Sequence, residues 1–227
     1  MIYITAVLAL LPVFSCRYIP YQNTLKDKQL VDISGLDCSV INEAFSAAGY
    51  NSIQESMCSR FINGLKEHGI DDMEEAAAMM SELIWESQGL EKNREDLCLA
   101  EDCSNIYSSS EDVEGKDYGG RGYIQLTWAE NYRMASQDLY GDDRLLEDPD
   151  MVLEEDISWD VSFWYWMKFV HEGFLQNKGF GTATNMINGA LECRGEYKDK
   201  AKKRYEIYKK ILQAFDTNAE PNEEGCY

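Results

Sequence analysis

A mainly α-helical domain is the fold class this sequence predicts, on three observations. From Cys38 onward, apolar residues recur every three or four positions in successive segments, which gathers them on one face of a helix. Glycines and aspartates, the residues that end and begin helices, punctuate those segments. Strand-like patterning is confined to one short stretch, so at most a small sheet is expected near residues 118–127.

Taken in order, residues 17–35 are mixed and polar with no clear period, and read as an extended leader. Val40, Ala44 and Ala47/Ala48 mark a first helix that Gly49 closes. Ile53, Met57, Phe61 and Leu65 mark a second, ended near His68 and Gly69. Asp71 or Asp72 caps a third, with Glu74 and Glu75 in its first turn, where the helix dipole favours acids. This third helix carries Ala76, Met79/Met80, Leu83 and finally Glu86. Residues 89–120 are rich in Glu, Asp, Asn, Ser and Gly and hold no period, so they form a long loop that Cys98 and Cys103 are placed to staple. The β-rich run Tyr123 to Thr127 follows, and Thr127 is placed to cap a helix that runs through Tyr140 and ends at Gly141. Asp148-Pro149 marks a turn. Trp159, Phe163, Trp166/Met167 and Val170 form an aromatic helix stripe, read as core. A short helix lies between Gly179 and Gly189. The last helix, Tyr197 to Phe215, lines up Ala201, Tyr205, Tyr208 and Leu212 and leaves a lysine-rich face to solvent.

The chain carries 41 acids against 21 bases, a net charge near −20. That balance argues against nucleic acid and anionic surfaces as partners and favours a neutral polymer or small neutral ligand. Residues 1–15 read as a secretory signal: an apolar run ending in Val13-x-Ser15, without a basic n-region. Residues 16–35 are then the leader, and residues 36–227 the domain. Cys38, Cys58, Cys98, Cys103, Cys193 and Cys226 allow three disulfides in an oxidising compartment. Cys16, at the expected cut, leaves with the signal, stays a free thiol or, in a bacterium, carries lipid. With two histidines in the chain and no zinc-like cysteine spacing, no metal site is expected, and no cofactor.

Polar side chains on apolar stripes are the candidates for chemistry. Glu86 ends a helix apolar on most sides, so its carboxylate is poorly solvated and its pKa is expected to rise, as a general acid requires. Arg204 lies at the edge of the last helix's stripe and needs a carboxylate partner, for which Glu192 and Glu86 are candidates. Gln125 and Thr127 share a face if their segment is extended. Asn131 follows Thr127 by one helical turn, and the three would line a wall of neutral hydrogen-bonding groups suited to sugar hydroxyls. Glycosidic cleavage commonly uses two carboxyl groups. The loop offers Glu91, Glu95, Glu101, Asp102, Glu111 and Asp112 as the second, and spacing does not choose among them.

The segment Tyr118-Gly119-Gly120-Arg121-Gly122-Tyr123-Ile124-Gln125-Leu126-Thr127-Trp128-Ala129-Glu130-Asn131-Tyr132 resembles the Tyr-x-Gly-Arg-Gly-x-Ile-Gln-Leu-Ser/Thr-x-x-x-Asn-Tyr signature of glycoside hydrolase family 19 chitinases. Three further blocks fall in the family's order: the helix from Ala76 to Gly89, the aromatic run from Ser162 to Met167, and Gly179 to Cys193, which is similar to its Gly-Phe-Gly…Asn-x-Ile-Asn-Gly-x-x-Glu-Cys block. The resemblance covers roughly residues 36–226.

The resemblance implies a lysozyme-like, bilobal helical domain with a deep groove. It implies endo-hydrolysis of β-1,4-linked N-acetylglucosamine polymers with inversion, by a protein expected from its N-terminus and cysteines to be secreted, and expected to be a monomer. Glu86 then matches the general acid, and Arg204 and Glu192 the charged pair that supports it. Thr127 matches the residue that helps hold the attacking water, and Gln125, Asn131 and Asn188 match sugar-binding positions. Cys193–Cys226 matches a family disulfide. The general base follows a Cys-aromatic segment in the family, and here Glu101, before Asp102, is the expected match. Trp85 stands where the family carries His, which alters the packing behind the acid. Glu130 stands where an aromatic is common, which weakens one sugar contact. Two other readings stay open: a peptidoglycan-cleaving enzyme, and a non-catalytic chitin-binding protein on the same scaffold.

Overall fold

The computed structural model describes residues 32–100, 103–177, 179–216 and 218–227. The expected signal segment, Cys16, Glu101 and Asp102 lie outside the described residues. Ten α-helical segments follow one another among those described: α1 Cys38–Ala48, α2 Glu55–Glu67, α3 Met73–Ser87, α4 Asp96–Ala100, α5 Ala129–Tyr140, α6 Arg144–Glu147, α7 Glu155–Tyr165, α8 His171–Asn177, α9 Phe180–Glu192 and α10 Lys198–Phe215. The expected mainly α architecture is the observed one.

The helix ends follow their caps. The Asp37 side chain accepts a hydrogen bond from the Val40 N–H at the start of α1, and Gly49 ends it at φ 90°. Asp72 accepts from Glu74 N–H at 2.9 Å, which selects it over Asp71 as the cap of α3. Gly141 closes α5 at φ 74°. A disulfide joins Cys38 to Cys58, tying the first turn of α1 to α2, a pairing that spacing had left open.

Helix α3 is the centre of the molecule, with Ala76 to Ile84 buried all round. Such a helix has no solvent face and must be covered by neighbours. Helices α8, α9 and α10 supply the cover, and α10 also packs along α1. On the other side of the core, Phe61, Trp159 and Phe163 meet as tilted aromatic rings. Gly64 of α2 makes that contact possible: a Cβ there would fall 2.2–2.8 Å from the Phe163 ring. Gly64→Ala is therefore expected to cost about 1–3 kcal/mol through overpacking. A urea midpoint lowered at constant m-value checks this; an unchanged midpoint contradicts it.

Four sequence expectations differ from the structure. The aromatic stripe is not one regular helix: α7 passes into a π-helical turn, Trp166–Val170, before α8. The helix between glycines runs past Gly189 to Glu192, and Asn188 departs from helical geometry inside it (φ −141°, ψ 30°). Tyr123 to Thr127 is not a strand. Arg121 and Leu126 exchange backbone hydrogen bonds at 3.1 and 2.8 Å as an isolated bridge, and a tight turn lies between them. Gly122 (φ 72°) and Gln125 (φ 56°) are left-handed, so the chain reverses instead of extending. Tyr123 and Ile124, the residues with β propensity, fill the core, and no partner strand is present among the described residues. Thr127 does not cap α5: Trp128, at φ 74°, holds that position without a side-chain bond.

Candidate active site

Glu82 and Glu86 stand one turn apart on α3 and project to one side. Both are buried, with Glu86 3% exposed. Two carboxylates so placed repel each other and lose their hydration, so a cation has to be supplied. It comes from α10. Ala201, Tyr208, Ile211 and Leu212 press that helix onto the core and carry Arg204 inward until it is 1% exposed. Its guanidinium is shared by three acids: Nη1 meets Glu82 Oε2 at 2.5 Å, Nη2 meets Glu86 Oε1 at 2.5 Å, and Nε and Nη2 reach the two oxygens of Glu192 at 2.8 Å. The Trp85 ring centroid lies 5.5 Å from the guanidinium carbon, a cation–π contact. The residue that departs from the family's His therefore takes part in packing this charge.

The kink at Asn188 serves the same cluster. The Asn188 Nδ2 donates to Glu192 Oε1 at 2.8 Å, while Thr184 donates to Glu82 Oε1 at 2.6 Å. Three buried carboxyls face one guanidinium, so the cluster cannot hold all three ionised at low cost. Burial pushes Glu86 up to about 7, with Arg204 pulling down and Glu192 and Glu82 pushing further up. Burial also raises Glu82, against the pull of Arg204 and the Thr184 hydrogen bond. Burial works against the charge on Arg204, and the three carboxylates outweigh it. Glu86 Oε2 accepts no hydrogen bond among the described residues. One oxygen of Glu86 is thus tied to Arg204, and the other is free to carry a proton.

The expected wall of Gln125, Thr127 and Asn131 takes another form. The three are linked, but chiefly to backbone: Gln125 Nε2 donates to Gly122 O at 2.9 Å, Thr127 Oγ1 to Gln125 O at 2.8 Å, and Asn131 Nδ2 to Thr127 O at 2.8 Å. Thr127 is fully buried and Asn131 half-buried. The turn before them is held by two arginines. Arg121 binds Asp150 and Asp117 at 2.8 and 3.1 Å, and Arg94 binds the same two acids at 2.9 Å each. Burial opposes the ionised Asp117 carboxyl, and the Arg121 and Arg94 charges overcome it, holding its pKa low.

Next to Arg94, Glu95 is 2% exposed, unlike its loop neighbours Glu91, Glu111 and Asp112, none of which is buried. Tyr107 OH lies 2.8 Å from both Glu95 oxygens, and Gly120 N–H donates to Oε2 at 3.2 Å. Burial raises the Glu95 pKa, moderated by the bonds from Tyr107 and Gly120. Sequence reading missed Glu82 and Tyr107. Glu82 had a signal, its four-residue spacing from Glu86; Tyr107 had none, because nothing periodic surrounds it. The other two disulfides are Cys98–Cys103 and Cys193–Cys226. Among the described residues, no group of three or more His, Cys, Asp or Glu is arranged to hold a metal.

Residues 45–174 match the glycoside hydrolase family 19 profile, described as chitinase class I. The chain is 42% identical to acidic endochitinase SP2 of Beta vulgaris over 101 residues, covering 44% of this chain and 34% of that protein. It is 37% identical to chitinase 6 of Oryza sativa subsp. japonica over 111 residues, covering 48% of this chain and 40% of that one. The chain thus spans well under half the length of these relatives. Its structure is similar to that of a class IV family 19 chitinase from Zea mays (TM-score 0.62, 25% identity), covering 81% of this chain and 96% of that one.

Proposed function

This chain belongs to glycoside hydrolase family 19, and from that premise we propose that it is a secreted endochitinase. It would cleave β-1,4 linkages between N-acetylglucosamine units with inversion, acting as a monomer. The observation that carries this reading is Glu86: a buried carboxyl raised to about 7, one oxygen on Arg204 and the other unpartnered. Such a group is protonated near neutral pH and can give its proton to a leaving oxygen. In the proposed step a water attacks the anomeric carbon from the face opposite the leaving group. The glycosidic C–O bond breaks, Glu86 protonates the departing oxygen, and a second carboxylate takes the proton of the water. Glu192 and Arg204 support the acid. Gln125, Asn131 and Asn188 contact the sugars, and Asn188 Oδ1 has an unused acceptor among the described residues. Thr127 helps hold the water through the oxygen of its hydroxyl, whose proton goes to Gln125 O.

For the second carboxylate, Glu101 is the sequence expectation and lies outside the described residues. Glu95 is the alternative favoured by an observation. It is buried, oriented by two donors and raised in pKa, which suits a proton acceptor. We assign the base to Glu95. Glu95→Gln is expected to lower kcat on N-acetylglucosamine oligomers by about 100-fold or more, and Glu101→Gln to leave it within a few fold. The reverse pattern returns the base to Glu101. Three disulfides fit an oxidising compartment and so support secretion. The charge near −20 disfavours an anionic wall polymer. Clearing of peptidoglycan without action on chitin would overturn the substrate assignment, and chitin binding without turnover would overturn the enzymatic one.

A further inference from the structure

We propose that Tyr107 and the Cys98–Cys103 disulfide form a clasp that positions Glu95 as the base, an inference that rests on the assignment of Glu95 above. The segment after Glu95 has almost no apolar hold on the molecule. Helix α4 buries none of its residues, Leu99 is 69% exposed and Ile106 is 42% exposed. A segment of that kind opens easily unless something ties it down. Two features do so.

The first is Tyr107, 1% exposed, with its ring edge-on to Trp128 at 5.5 Å and its hydroxyl between the two Glu95 oxygens. The second is the disulfide. Cys98 lies three residues beyond Glu95, and its sulfur approaches Glu95 Oε2 at 3.5 Å. Cys103 begins the turn that delivers Tyr107, since the N–H groups of Ile106 and Tyr107 both bond to Cys103 O. The sulfur of Cys98 is also seated on Gly119, where a Cβ would fall 2.2 Å from it. The next residue, Gly120, supplies the backbone N–H bound to Glu95. One short cross-link therefore ties together the three pieces that surround this carboxylate.

Tyr107 is a positioning residue: it touches the base, not the substrate. Its hydroxyl favours the ionised form of Glu95, the form that accepts a proton. Tyr107→Phe is expected to lower kcat roughly tenfold and to move the acidic limb of the kcat–pH profile up by about one unit. The alkaline limb, set by Glu86, stays in place. Cys98→Ser/Cys103→Ser should move the same limb in the same direction. Adding Tyr107→Phe to it should change little more, as expected for groups that act as a unit.

The experiment is the kcat–pH profile of Glu95→Gln, Tyr107→Phe, the cysteine pair and the triple variant on N-acetylglucosamine oligomers, each with a thermal melt. Full activity in Glu95→Gln removes the base assignment and the clasp with it. An inactive Glu95→Gln beside a folded Tyr107→Phe with the wild-type rate and acidic limb overturns the clasp alone. If Tyr107→Phe does not fold, the cysteine pair carries the same test: an unmoved acidic limb overturns the clasp and an upward shift supports it.

Discussion

Glu86→Gln is expected to reduce kcat on a chitin oligomer by about 10²–10⁴-fold while the protein stays folded. The amide keeps the shape of the carboxyl and can still accept from Arg204 Nη2 through its oxygen. It has no acidic proton for the leaving group. Wild-type activity should fall on the alkaline side as Glu86, held at about 7, loses its proton. The same shift fixes the sign of a stability effect. The folded carboxyl binds its proton more tightly than the unfolded one, from an ordinary 4.5 up to about 7. Wild-type stability is therefore greatest below that window and declines as pH rises through it. The full decline is on the order of 3 kcal/mol, and Glu86→Gln should lack it. Melts of both proteins at pH 5 and pH 8 read this directly. A parallel fall in both would contradict the raised pKa, and an undiminished kcat would contradict the role.

Arg204→Met is expected to have the largest effect on stability. It fills similar volume and removes the cation that Glu82, Glu86 and Glu192 share. Breaking a buried ion pair from one side leaves uncompensated charge and costs about 3–5 kcal/mol. For a domain of this size that is a fall in Tm of roughly 6–20 °C. The loss should shrink in acid, where the carboxyls take up protons, and grow toward neutral pH. Arg204→Lys should recover only part of it, because one ammonium cannot reach three carboxylates with the fork geometry of a guanidinium. A Tm within 2 °C of wild type for Arg204→Met would contradict the cluster as described.

The mainly helical, lysozyme-like fold was legible because its helices carry both an apolar period and end signals, as Gly49 after α1 and Asp72 before α3 show. The Glu86–Arg204–Glu192 association was legible for a related reason. A charge on an apolar stripe has to find a partner, and few are within reach. Glu82 had only its four-residue spacing from Glu86 to mark it, because α3 is buried all round and shows no polar face. The turn at Tyr123 to Thr127 was misread from β propensity. Tyr123 and Ile124 are core residues of a reversal set by Gly122 and Gln125, and propensity reports packing more than backbone preference. The environment of Glu95 was not legible at all. Its burial comes from Tyr107 and Gly120, twelve and twenty-five residues away in a segment without period, and tertiary contacts of that kind leave no local pattern.

In the proposed mechanism Glu86 and a second carboxylate cleave the glycosidic bond in a single displacement through water. The anomeric form of the first product tests it most directly, followed by proton NMR as the wild-type protein hydrolyses an N-acetylglucosamine oligomer of defined length, before mutarotation. Inversion of a β-linkage gives the α-anomer at the new reducing end, absent from a parallel Glu86→Gln reaction. Initial release of the β-anomer, or equal release by the two proteins, would contradict it.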